Sequence, residues 1–193
     1  QAALGGTLST ILVTGGTGRI GSELVRLLAS HPAAPAIRVV TRSPDGPDAR
    51  VLRQLAPGRV QTVRFDDEAV KGIDGLMLIA PFSPDMAAWH QQVLDRVKTS
   101  ATPFVVKVSV TGAREPVGEP RAIPERHGAS ERVLRDSGLP NVSIRPTIFA
   151  QHFKMSPALY QPGADRFFLP TGDTKVAFLD CRDIAAMAAA LLM

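Results

Sequence analysis

Short runs of branched aliphatic residues recur along the chain, at Thr10–Thr14, Ile37–Thr41, Val60–Phe65, Leu76–Ala80, Phe104–Ser109 and Val142–Arg145. Most carry apolar residues at successive rather than alternate positions, the pattern of strands covered on both faces of a parallel sheet. Helical spacing fills the intervals Ile20–Ser30, Ala49–Leu55, Asp85–Ser100 and Glu125–Ser137. Leu24, Leu27 and Leu28 form one stripe and Val133 and Leu134 another. Pro84 and Asp85 open the third helix, and Gly138 follows the fourth where a glycine cap belongs. This alternation predicts an α/β fold, a doubly wound parallel sheet with helices on both faces, whose ligands bind beyond the carboxyl ends of the strands.

From Ala150 the pattern changes. Pro157, Pro162, Gly163, Pro170 and Gly172 break the chain into loops, with a short strand expected around Lys175–Leu179 and a helix from about Arg182 to the end. Residues 1–150 are therefore expected to form the core, and 151–193 the start of a small, irregular substrate-binding region. The last nine residues, Ala185 to Met193, are all apolar and lack a cap, so this region is expected to continue beyond them.

Composition narrows the class. The 193 residues suit one domain, and 45% hydrophobic with 21% charged residues excludes wholesale disorder. A lone cysteine, Cys181, cannot form an intrachain disulfide and is compatible with a cytoplasmic location. No apolar run approaches the ~20 residues of a membrane span. The net charge of +4 comes from scattered arginines rather than a cluster interleaved with aromatics, so no nucleic-acid partner is expected. The histidines lack metal-ligand spacing, and neither a nucleophile elbow nor a nucleotide-hydrolysing phosphate loop is present.

The strongest chemical signal is Thr14-Gly15-Gly16-Thr17-Gly18-Arg19-Ile20-Gly21 between the first strand and the first helix. Gly15 permits a tight turn, Gly18 a close approach to a pyrophosphate, and Gly21 close packing of helix on sheet. The helix N-terminus offers free N–H groups to phosphate. This is a Rossmann-type dinucleotide fingerprint. An NAD site places an acid at the end of the second strand; here Val40-Thr41-Arg42 offers a guanidinium instead, with Arg19 as a possible second. NADP(H) is therefore favoured over NAD(H), against the alternative of Arg42 as a solvated loop residue. Asp66 suits either an adenine contact or a helix N-cap. Ala80 and Pro81 lie where the middle of the cofactor would pass.

Taken with Lys107-Val108-Ser109-Val110-Thr111-Gly112-Ala113, with His127 to Glu131, and with Arg145-Pro146-Thr147 and Arg182-Asp183-Ile184-Ala185, these motifs resemble the NmrA-like branch of the atypical short-chain dehydrogenases/reductases. The resemblance implies an NADPH-dependent reductase of a small, flat electrophile such as a quinone. Its alternative is a regulator that binds dinucleotide without turnover and acts through a protein partner. A homodimer is also compatible.

Typical short-chain dehydrogenases carry a Tyr-x-x-x-Lys pair, where this chain has His127-x-x-x-Glu131. The imidazole can serve as an acid, but Glu131 would raise a neighbour's pKa where a lysine lowers it. A surface His–Glu pair is the competing reading. Lys107, on an otherwise apolar strand, is expected to face the cofactor, and Ser109 to offer a substrate-binding hydroxyl. Pro146 would flank the nicotinamide.

Overall fold

The computed structural model describes residues 9–33, 35–80, 83–116, 118–119, 122–155, 160–161, 166–167, 173 and 175–193. All six expected core strands form: β1 (Thr10–Val13), β2 (Ala36–Val40), β3 (Val60–Val63), β4 (Gly75–Leu78), β5 (Phe104–Val108) and β6 (Asn141–Ile144). They pair in parallel in the order β3-β2-β1-β4-β5-β6, the doubly wound Rossmann arrangement. The winding reverses between β1 and β4, which opens a crevice at their carboxyl ends.

The connecting helices are α1 (Arg19–Ser30), α2 (Pro47–Leu55), α3 (Asp67–Val70), α4 (Met86–Lys98) and α5 (Ile123–Asp136). Helix α2 starts two residues earlier than its apolar pattern suggests, because Pro47 supplies a preset first-turn backbone after Gly46. Helix α3 is too short to show periodicity. Beyond the sheet lie β7 (Ile148–Phe149), α6 (His152–Met155), β8 (Tyr160–Gln161), β9 (Arg166–Phe167), β10 (Phe178–Leu179) and α7 (Cys181–Leu192). The strand expected at Lys175–Leu179 contracts to β10, which pairs in parallel with β7.

Successive strand residues serve opposite layers. Ile11 and Val13 join α1, α2 and α7 in one core, while Leu12 joins α3, α4 and α5 in the other. Helix α7 lies along α1 and buries Ile184, Ala185, Ala188 and Leu192. The apolar terminus is thus covered on one side, with Met187 and Met193 exposed on the other. No described helix is long and apolar enough to cross a membrane.

The glycine turn joins β1 to α1. Gly15 adopts a φ of +63°, and a Cβ on Gly21 would lie 2.6 Å from Gly16 Cα, with backbone on both sides. Alanine at residue 21 gains at most about 1 kcal/mol of helix propensity. Forcing α1 off the turn costs about 1–3 kcal/mol, which dominates. Gly21→Ala should therefore lower the thermal midpoint by several degrees; an unchanged midpoint in heat or urea unfolding would show that the turn yields freely.

Candidate functional site

The carboxyl ends of β1 and β4 are fastened by Thr14, whose buried hydroxyl donates to the Ile79 carbonyl at 2.9 Å and accepts from the Ile79 N–H at 2.8 Å. Beside this clip opens a cleft of about 820 Å³, lined by Gly15, Thr17, Gly18, Arg42, Arg64 and Ala80, with Phe65 and Trp89 further along. The first turn of α1 has Gly18 as its N-cap and no side-chain cap, so its N–H groups are open to an anion. A Cβ on Gly15 would press against Ile79 at 3.1 Å. Glycines where side chains would fill the cradle, together with uncapped donors, fit a dinucleotide pyrophosphate.

Among the described residues, neither Arg42 nor Arg64 forms an ion pair, and both line the cleft beyond β2 and β3. Arg64 escaped the sequence reading because nothing marks the end of β3 as phosphate-facing until the sheet order is known. Arg19 points elsewhere than expected: it lines a second cavity, not the cleft that holds Arg42. Asp66 is engaged as the N-cap of α3, accepting from Ala69 N at 2.9 Å, and does not line the cleft. Of its two readings, the cap is the one realised. Pro81 lies outside the described residues.

The second cavity, about 730 Å³, adjoins the first; Ile79 and Ala80 line both. Its walls bring together Arg19, Ile20, Ser109, His127 and Pro146, five of the residues singled out by sequence. Lys107 lines neither cavity, contrary to the expectation that it faces the cofactor. It is fully buried behind His127, with Nζ donating to the Val108 carbonyl at 2.9 Å and lying 3.4 Å from His127 Nδ1. Burial brings the Lys107 ammonium down to about 8, opposed by the charge of Glu131 and reinforced by that of Arg145. Burial, then the Lys107 charge, brings His127 to about 4, although Glu131 pulls upward. His127 is therefore neutral at pH 7. An ammonium has only donors, so Nδ1 accepts from Lys107 and the ring proton sits on Nε2.

Glu131 does not pair with His127. It accepts from Ser109 Oγ at 2.5 Å and is clamped by Arg145 through Nε at 2.9 Å and Nη2 at 2.5 Å. Burial pushes its carboxyl up, but the bonds from Arg145 and Ser109 hold it below the ordinary glutamate range. Ser109 has spent its proton on Glu131 and faces the cavity with lone pairs, so it can accept a hydrogen bond there but not donate one. Next to His127, Gly128 makes room for the Arg114 backbone, whose carbonyl a Cβ would overlap. His90 is buried under the same wall against Ser130 and is brought to about 3 by burial and by Lys107 and His127.

A glycine turn opening onto an uncapped helix N-terminus at the switch point of such a sheet is the arrangement of the dinucleotide-binding α/β proteins. The sequence matches the family described as NAD(P)H-binding over residues 15–192, and the chain belongs to that family. It is 32% identical over 186 residues to the NAD(P)H azoreductase of Xenophilus azovorans, covering 92% of this chain and 61% of that one. The solved NADPH-dependent quinone oxidoreductase of Escherichia coli is similar with a TM-score of 0.70 and 26% identity, covering 94% of this chain and 63% of that one. NmrA, a negative transcriptional regulator solved with NAD, shares the fold at 20% identity and a TM-score of 0.71, covering 93% of this chain and 60% of that one. The NmrA-like resemblance read from the motifs stands. The chain spans about three-fifths of the length of these relatives.

The buried ammonium makes a prediction about stability. Below pH 8 Lys107 is charged in both the folded and unfolded states, and the folded state bears the full cost of burying it. Between about 8 and the ordinary 10.5 the folded state sheds this proton first, so stability attributable to Lys107 rises with pH. Lys107→Met should therefore be more stable than the wild type at pH 7, with an advantage that shrinks by about 3 kcal/mol as pH rises to 10.5. Urea unfolding of both proteins across this range measures it; a difference independent of pH would contradict it.

Proposed function

We propose that this chain forms the cofactor-binding part, and one wall of the acceptor site, of an NADPH-dependent reductase acting on a small, flat electrophile such as a quinone. One observation carries the reading: the glycine-turn cleft and the His127 cavity meet at Ile79 and Ala80, so a cofactor seated in the first reaches the second. Bound NADPH supplies a hydride to the acceptor. The glycine turn and the N-terminus of α1 hold the pyrophosphate, and Arg42 and Arg64 the 2′-phosphate. Arg64 takes the part first given to Arg19.

The residues of the second cavity supply the proton that completes the reduction. His127 donates from Nε2 to the developing anion, and Lys107 passes a proton to Nδ1 as it does so. The imidazole thus never carries a lasting positive charge. Ser109, held by Glu131 and Arg145, accepts a hydrogen bond from cofactor or acceptor, and Pro146 packs beside them. Residues 151–193, as the start of a small substrate-binding region, contribute further to the acceptor site and, with residues 1–150 as the core, make up the proposed organisation of the chain. A cytoplasmic location is supported by the lone cysteine. The partner of first resort is the small-molecule acceptor; a homodimer or a regulatory protein partner is secondary.

Two measurements test this. Losing a charge-assisted phosphate contact costs about 1.5–3 kcal/mol, and 1.4 is a tenfold change in affinity. NADPH should therefore bind full-length protein at least tenfold more tightly than NADH, and Arg42→Ala should remove most of that margin. Trp89, the one tryptophan of these 193 residues, lines the cleft, so its fluorescence reports binding alongside calorimetry. Equal affinities in the wild type would refute the phosphate assignment.

In steady-state NADPH oxidation with quinone, azo and enone acceptors, His127→Ala should lower kcat by about 10²–10⁴. Wild-type kcat should fall as pH rises through about 8, where Lys107 loses its proton, and Lys107→Met should lose this limb. Absence of turnover with every acceptor, nucleotide affinity being intact, would leave the regulator.

A further inference from the structure

The cavity beside His127 is mostly apolar, with Val108, Val110, Ile148 and Phe149 in its walls and the Phe149 and His152 rings stacked 5.8 Å apart at 16°. Its charge is one-sided. Arg19 and Lys175 line it, and no carboxylate does among the described residues. The carboxylates of the surrounding elements are turned to other partners: Glu131 to Arg145, Glu125 to Arg114, and Asp180 to Arg182 and Gln151. Lys175 makes no ion pair among the described residues, not even with Asp173 two positions away.

The segment that carries Lys175 is fixed against the cavity. Thr147 Oγ1 donates to the Ala177 carbonyl at 2.8 Å, and β10 pairs with β7 immediately beyond. Val176 and Ala177 line the cavity with it. Arg19 adjoins the phosphate-binding glycines, so part of its charge is met when a dinucleotide is bound. Lys175 lies far from them in sequence and has no ion-pair partner among the described residues.

We propose that the acceptor is a flat apolar molecule bearing an anionic substituent (a sulfonate, carboxylate or phosphate ester), which Lys175 holds at the cavity rim with Arg19 reinforcing it. The apolar walls take the ring system, and the unpaired ammonium orients it. This rests on the reductase reading for its catalytic consequence, but not for binding.

The test compares matched acceptors, 1,4-naphthoquinone-2-sulfonate and 2-methyl-1,4-naphthoquinone, on full-length wild type, Lys175→Ala and Lys175→Glu. The ratio of kcat/KM for the sulfonate to that for the neutral quinone should fall about tenfold in Lys175→Ala and further in Lys175→Glu, as expected for one charge-assisted contact. A fall of less than threefold, or an equal loss with both quinones, overturns the proposal. The same variants are titrated calorimetrically with naphthalene-2-sulfonate and 2-naphthol in the presence of NADP⁺, which needs no turnover. If no acceptor is reduced, the reductase reading fails by itself, and the ratio of the two dissociation constants, by the same threefold criterion, decides the anion site.

Discussion

The Thr14 hydroxyl holds together the two halves of the sheet at the place where the chain must bind something. A parallel sheet that reverses its winding leaves β1 and β4 as neighbours with connections leaving on opposite sides. The ladder between them ends with the Thr14 N–H donating to the Met77 carbonyl at 3.0 Å, and the Thr14 hydroxyl extends the connection to Ile79. A buried side chain that both donates to and accepts from Ile79 fixes the distance between the glycine turn and the Ile79–Ala80 segment. Gly15 and Gly21 then become necessary, because the turn must fit against Ile79 on one side and under α1 on the other. The two cavities inherit this spacing, since both are bounded by the same two residues.

The second organising constraint is electrostatic. Three ionisable side chains, His90, Lys107 and His127, are packed behind one cavity wall, and the interior cannot hold three positive charges. Burial and the ammonium leave both imidazoles neutral at ordinary pH, so Lys107 is the single cation of the group. Glu131, fixed by Arg145, lies close enough to ease that charge without neutralising it. A neutral histidine with its proton steered to Nε2 results. A lysine in a typical short-chain dehydrogenase acts on a tyrosine by lowering its pKa; here the lysine comes from the strand rather than the helix and selects a tautomer.

The sheet was legible because its central strands β1, β4 and β5 are buried on both faces and read as nearly continuous apolar runs. The glycine turn was legible because its residues are contiguous. Arg42, Ser109 and Pro146 could be placed because each follows closely on the end of a recognised strand, and His127 because it lies near the start of a recognised helix. Reading failed where side-chain direction decides the outcome. Arg19 lines the cavity beside His127 and not the cleft that holds Arg42, a difference that adjacency in sequence does not reveal. Lys107 was recognised as out of place on an apolar strand, but which layer it entered depends on the pleat and on α5. Asp66 was taken by a four-residue helix too short to leave a periodic trace. Arg64, Trp89 and Lys175 reach the cavities only through the strand order and the β7–β10 pairing, which no local pattern contains.

Helix α7 makes the packing of α1 depend on residues distant in sequence. The apolar stripe of α1 is closed by residues about 160 positions later, through the α1–α7 contact. The glycine turn is contiguous in sequence, yet the helix it opens completes one flank of its packing only through α7. Contacts of such long separation form late and pay the largest loop entropy. The fingerprint is thus local in sequence, while the helix that carries it is held in place by a contact of long separation.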